Sequence, residues 1–165
     1  MNTSHLRLAF CFTFAFIAAS TAQAQTSAQG LLLLYKHPPV NELIKATNDA
    51  QFPCELVSLD YWGEVRLTQY GKGDPKSKLL EVRSCVAKSS DVPKEKLVAA
   101  LKYLEGKPDT AKALKDVYLM WVTRLEAMAP AYGESKSKND ERQEEAERAL
   151  KQAQKAMELE LQLGT

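Results

Sequence analysis

PDTAKALKDVYLMWVTRLEAM, residues Pro108 to Met128, is the stretch that decides the fold. Leu114, Tyr118, Trp121, Leu125 and Met128 recur at steps of four and three, the repeat of one helix face rather than the alternation of a strand. Pro108 opens the segment where a missing N–H costs nothing, and Pro130 and Gly133 end it. The segment before it reads the same way. Leu97, Ala100, Leu101 and Leu104 make its stripe, Asp91 with Pro93 starts it, and Gly106 stops it. After the deciding stretch, Glu134 to Asp140 (ESKSKND) reads as a solvated linker. Glu141 to Leu163 is then dense in strong helix formers, with Ala146, Leu150, Ala153, Met157 and Leu161 on one face. That face either packs on its own domain or binds a partner, including a second copy of the chain.

Towards the N-terminus the periods are less decisive. Pro38-Pro39 breaks what precedes it, and Pro39 fits the first turn of a helix through Asn48. Cys54 to Tyr70 (CELVSLDYWGEVRLTQY) reads two ways. Leu56, Leu59, Trp62, Val65 or Arg66, and Tyr70 follow helical spacing, yet Glu64 to Tyr70 alternates like a strand. Gly71 to Pro75 is a break, with Asp74-Pro75 suited to cap and open the next helix, where Leu79, Val82, Arg83 and Val86 recur. The expected fold is all-α: a small disulfide-linked helical bundle with an extended C-terminal helix. One β-hairpin within residues 64–86 is the alternative.

The N-terminus carries an export signal. Arg7 precedes an uncharged apolar run, Leu8 to Ala19, followed by Ala22-Gln23-Ala24, whose small residues suit signal peptidase. Twelve apolar residues make a helix of about 18 Å, too short to cross ~30 Å of hydrocarbon. Cys11 follows Phe10 and sits inside the run, unlike a lipoprotein cysteine. The expected organisation is a signal peptide over 1–24, a helical domain over 25–133, and a charged linker with an amphipathic helix over 134–165. The mature chain is expected to be periplasmic, with no membrane anchor after cleavage.

The chain carries 22 basic and 21 acidic residues, and losing Arg7 balances them. That balance with interspersed signs argues against a nucleic-acid partner. Cys54 and Cys85 are the only cysteines beyond the signal, and two cysteines in an oxidising compartment pair. Pairing removes both thiols as nucleophiles.

No catalytic constellation stands out. His37 is the single histidine of the mature chain and reads as an exposed turn residue, too few for a transition-metal site. Ser135 to Lys138 has Ser-x-x-Lys spacing but none of the companion motifs of a serine acyl-enzyme. Gly71-Lys72-Gly73 lacks the spacing of a phosphate loop. The expectation is a non-enzyme without catalytic residues, metal or cofactor. Trp62 is a candidate partner anchor, since Tyr61-Trp62-Gly63 is aromatic around the turn, although helical spacing also suits it to the core.

Cys85 to Pro108 (CVAKSSDVPKEKLVAALKYLEGKP) resembles the Rap/Tai-type periplasmic immunity proteins of type VI secretion. In that family a cysteine precedes a short loop, and a helix follows that ends near Tyr-Leu with a proline beyond. Cys54, Tyr61 and Gly63 match the family's upstream cysteine, aromatic and glycine, and the likeness covers about residues 51–128. Trp121-Val122-Thr123 stands where members often carry another cysteine. The resemblance implies an all-α fold and a protein partner, a peptidoglycan-amidase toxin whose cleft is blocked. Gly71 to Lys78 (GKGDPKSK) is the candidate blocking turn, with Lys72, Lys76 and Lys78 facing an acidic cleft. The competing expectation is a structural or chaperone-like envelope protein that forms a homodimer through its C-terminal helix.

Overall fold

A computed structural model describes residues 36–163. The expected signal peptide over residues 1–24 lies outside the described residues. Among the described residues five α-helices follow one another: α1 (Pro38–Leu67), extended by a 3-10 turn (Thr68–Tyr70), α2 (Pro75–Ser89), α3 (Lys94–Tyr103), α4 (Pro108–Glu126) and α5 (Lys136–Leu163). No strand occurs among the described residues, so the all-α reading holds and the hairpin alternative does not.

Helix α1 corrects the expected break between Asn48 and Cys54. It runs unbroken for 30 residues, about 45 Å, with Pro53 in its interior. Pro53 and Asp49 are both exposed, so the carbonyl deprived of its helical hydrogen bond faces water. Val40, Leu43, Thr47, Ala50, Cys54, Ser58 and Tyr61 recur at threes and fours as the buried face. Against it lie α2, with Leu79, Val82 and Val86 buried, and α3, with Ala100 and the residue that ends it, Leu104, buried. The disulfide Cys54–Cys85 clasps α1 to α2, with Cα atoms 5.6 Å apart.

His37 is buried, not exposed. It ends the chain's approach to α1, its carbonyl accepting from the amides of Val40 and Asn41, and its Nδ1 lies 3.2 Å from the Tyr103 hydroxyl. A lone histidine with one apolar edge packs as readily as it solvates, and here α3 supplies the phenol. Helix α3 begins at Lys94, after a turn in which Pro93 is buried; Asp91 pairs with the Lys94 ammonium at 2.6 Å rather than capping through its side chain.

Helices α4 and α5 form the second layer. Leu114, Trp121, Leu125 and Met128 of the deciding stretch are buried as expected, while Tyr118 is half-buried and donates to the Ser90 carbonyl at 3.1 Å. Ala146, Leu150, Met157 and Leu161 are buried along α5, which packs along α4. The expected linker ends sooner than Asp140. Helix α5 begins at Lys136, and Asn139 is fully buried, donating to the Ala127 carbonyl at 3.0 Å and accepting from Gln143 at 2.7 Å. From His37 on, the described residues form one compact unit that includes this C-terminal helix.

Candidate partner-binding surface

The α1–α2 hairpin ends in a tip that stands clear of the core. Arg66 to Asp74 are nine consecutive exposed residues, whereas Tyr61 and Trp62 just before them are buried. The tip is fixed by local chemistry. Asp74 caps α2 by accepting from the Ser77 amide at 3.1 Å, and Pro75 occupies the first helical position. The Asp74 amide in turn donates to the Glu64 carboxylate at 2.8 Å, tying the end of the turn back to α1. Gly71 and Gly73 take positive φ of 68° and 96°. Gly73 is also pressed on α1: a Cβ there would lie 2.6 Å from the Glu64 carbonyl oxygen. Only glycine satisfies both demands.

Lys72 is exposed on this tip and Lys76 is exposed just beyond it, in the first turn of α2. Lys78 is part of the following helix and donates to Glu81 at 2.7 Å, an interaction that raises its pKa above the ordinary lysine value. Lys72 and Lys76 form no ion pair among the described residues, while Lys78 is paired with Glu81. Trp62 is not at the tip. Its ring packs edge-to-face on Tyr61, with centroids 4.8 Å apart, and lines a cleft of about 250 Å³ between α1, α4 and α5.

That cleft holds a residue sequence reading passed over. Arg124, its side chain only 14 % exposed, donates to Glu147 at 2.7 Å and to Glu55 at 3.4 Å, linking three helices. The Arg124 hydrogen bond is the main cause of a lowered Glu147 pKa. Arg124 Nη1 and the Trp62 indole N–H, both buried, have no hydrogen-bond partner among the described residues. Nothing in the sequence around Arg124 marks it, because its partners come from residues 69 and 23 positions away.

The outer side of α1 departs most from the sequence reading. Leu56, Leu59 and Tyr70, which share helical spacing with Trp62, do not join it inside; all three are exposed, as are Phe52 and Leu67. The disulfide fits this orientation. Once Cys54 must meet α2, positions four and seven further on, Ser58 and Tyr61, turn inward with it. Leu56 and Leu59 then fall on the opposite side.

Among the described residues no group of three or more His, Cys, Asp or Glu side chains could hold a metal ion, and no helix is long and apolar enough to cross a membrane. No family model, no curated protein and no solved structure matches the chain.

Proposed function

We propose that this chain is an exported, non-catalytic binding protein of the cell envelope, an immunity protein that blocks a peptidoglycan-amidase toxin. The observation that carries this reading is the hairpin tip. Nine exposed residues project beyond the core, yet they are held by a turn with two positive-φ glycines, a side-chain cap and a carboxylate–amide tie. A surface already fixed in the free protein loses little conformational entropy when it enters a cleft. Lys72 and Lys76 give it a positive rim, which raises the rate of encounter with an acidic cleft more than it deepens affinity. The export signal and the resemblance from Cys85 to Pro108 supply the compartment and the class of partner.

The test is co-expression with each peptidoglycan amidase encoded beside the gene, the amidase being directed to the periplasm. Protection from lysis by the wild-type chain, weakened when Lys72 and Lys76 are both changed to Glu, is the expected result. Lysis that proceeds unchanged with the wild-type chain against every such amidase would refute the immunity reading.

A further inference from the structure

The cleft between α1, α4 and α5 keeps hydrogen-bonding capacity that the protein itself does not use. Trp62, 7 % exposed, lines it, and its buried indole N–H has no partner among the described residues. The same holds for Nη1 of Arg124, whose Nε and Nη2 are spent on Glu147 and Glu55. Glu55 is spent through one oxygen only. Its Oε1 accepts from both Gln51, at 2.7 Å, and Arg124, at 3.4 Å, which leaves Oε2 without a hydrogen bond among the described residues. The other polar groups of the lining are already engaged. The Ser58 hydroxyl donates to the Met128 carbonyl at 3.1 Å, Gln143 donates to Asn139 at 2.7 Å, and Lys136 holds Asp140 at 2.6 Å. An indole N–H and a guanidinium nitrogen can only donate, so the buried end of the cleft lacks an acceptor, while Oε2 of the half-exposed Glu55 lacks a donor.

We propose that this cleft binds one uncharged peptide unit, its amide carbonyl accepting from Arg124 Nη1 and the Trp62 indole and its amide N–H donating to Glu55 Oε2. Charge selects an amide over a carboxylate. Arg124 is one cation held between the carboxylates of Glu55 and Glu147, and Lys136 with Asp140 adds no net charge. An anion entering there meets a net negative site, whereas a carbonyl brings an acceptor and no charge. Size selects a short ligand. A cavity of about 150 Å³ holds benzene, so a cleft of about 250 Å³ takes roughly ten non-hydrogen atoms, one residue with its two flanking amides. Leu59 and Met128 also line the cleft and offer apolar contact to a small side chain such as a methyl. Both unused donors are covered in the free protein, so one side chain yields as the ligand enters. The loosest contact is that of Arg124 with Glu55, 3.4 Å against 2.7 Å for Glu147, and Glu55 has 39 % of its side chain exposed. Glu55 is therefore the group that gives way. The site uses none of the hairpin tip and stands independently of the immunity reading.

The probe is N-acetyl-L-alanine amide, titrated into the mature, oxidised protein and followed by the indole N–H signals in nitrogen–proton correlation spectra. The chain has two tryptophans, so a Trp62→Phe variant assigns the two signals and also removes the donor. In the wild-type protein the Trp62 signal should shift and saturate with a dissociation constant of roughly 1–10 mM, the strength that about ten non-hydrogen atoms give a small ligand. The Trp121 signal should stay in place. In Trp62→Phe, its fold checked by circular dichroism, the amide shifts at Glu55 and Arg124 should require roughly tenfold more probe. N-acetylglycine, which carries a carboxylate, should bind roughly tenfold more weakly than the amide, and Glu55→Gln should narrow that gap. No saturable shift of the Trp62 signal up to about 100 mM probe, the result if ordered water alone serves these donors, would overturn the proposal. So would binding unchanged in Trp62→Phe, or N-acetylglycine binding as tightly as the amide. Tighter saturation by N-acetylglucosamine, whose acetamido group presents the same amide chemistry, would overturn the peptide assignment in favour of an amino sugar.

Discussion

Changing Gly73 to alanine probes whether the hairpin tip is a fixed surface or merely a loop. Two costs act at that residue. Its φ of 96° is a conformation L-residues avoid, a penalty of about 1–2 kcal/mol. The added Cβ would also stand 2.6 Å from the Glu64 carbonyl oxygen and 3.0 Å from the Leu67 Cβ. Both neighbours are helix-bound, so the turn must lift away from α1, adding about 1–3 kcal/mol as overpacking does elsewhere. Gly71 is the matched control. Its φ of 68° carries the conformational penalty, but a Cβ there has no neighbour within 4 Å. Gly73→Ala should therefore destabilise by about 2–5 kcal/mol and Gly71→Ala by about 1–2 kcal/mol, the difference being the contact alone. Urea unfolding followed by helical circular dichroism, with the disulfide intact, measures both through the midpoint at constant slope. Equal shifts for the two variants would refute the argument that the turn is pressed on α1. A tip loosened by Gly73→Ala should also protect less well in the amidase assay.

Three further outcomes are expected. Thiol labelling of the denatured, unreduced protein should find no free cysteine, and replacing Cys54 and Cys85 together by serine should cost about 3–4 kcal/mol from the loop they close, measured by the same melts. Asn139→Ala leaves the Ala127 carbonyl without its donor in a fully buried site, a loss of about 1–3 kcal/mol. Asn139→Asp should be worse still, because it sets a carboxylate against that carbonyl, and melts of the two variants will give their order. Arg142 lowers the pKa of Glu134 and Arg124 lowers that of Glu147, so the unfolded chain takes up these protons first as acid is added. The stability these carboxylates contribute is present above the ordinary value of 4.5 and is lost as the pH falls through their lower folded values. Melting temperature against pH should show that fall only on the acid side, and Arg142→Ala should make it shallower.

Much of this protein is legible in the chain because its helices declare themselves locally. The steps of four and three from Leu114 to Met128 mark a buried face, and of the face chosen along α5, Ala146, Leu150, Met157 and Leu161 are buried while Ala153 is half-buried. Asp74-Pro75 was readable as a cap because capping needs only the neighbouring amides. The pairing of Cys54 with Cys85 was legible because they are the two cysteines beyond the N-terminal apolar run. Periodicity, however, says that a helix has an apolar stripe and does not say where that stripe points. In α1 two apolar sets compete, one around Leu56 and Leu59 and one around Ala50, Cys54 and Tyr61. At 3.6 residues per turn they lie on opposite sides, and the set that carries Cys54, clasped to α2, is the one buried. The Arg124 network and the fully buried Asn139 were equally beyond sequence reading, since their partners come from other helices or from across a turn. Local chemistry determined which segments are helices; packing decided which faces they hide, and so left the outer seam of α1 open to water.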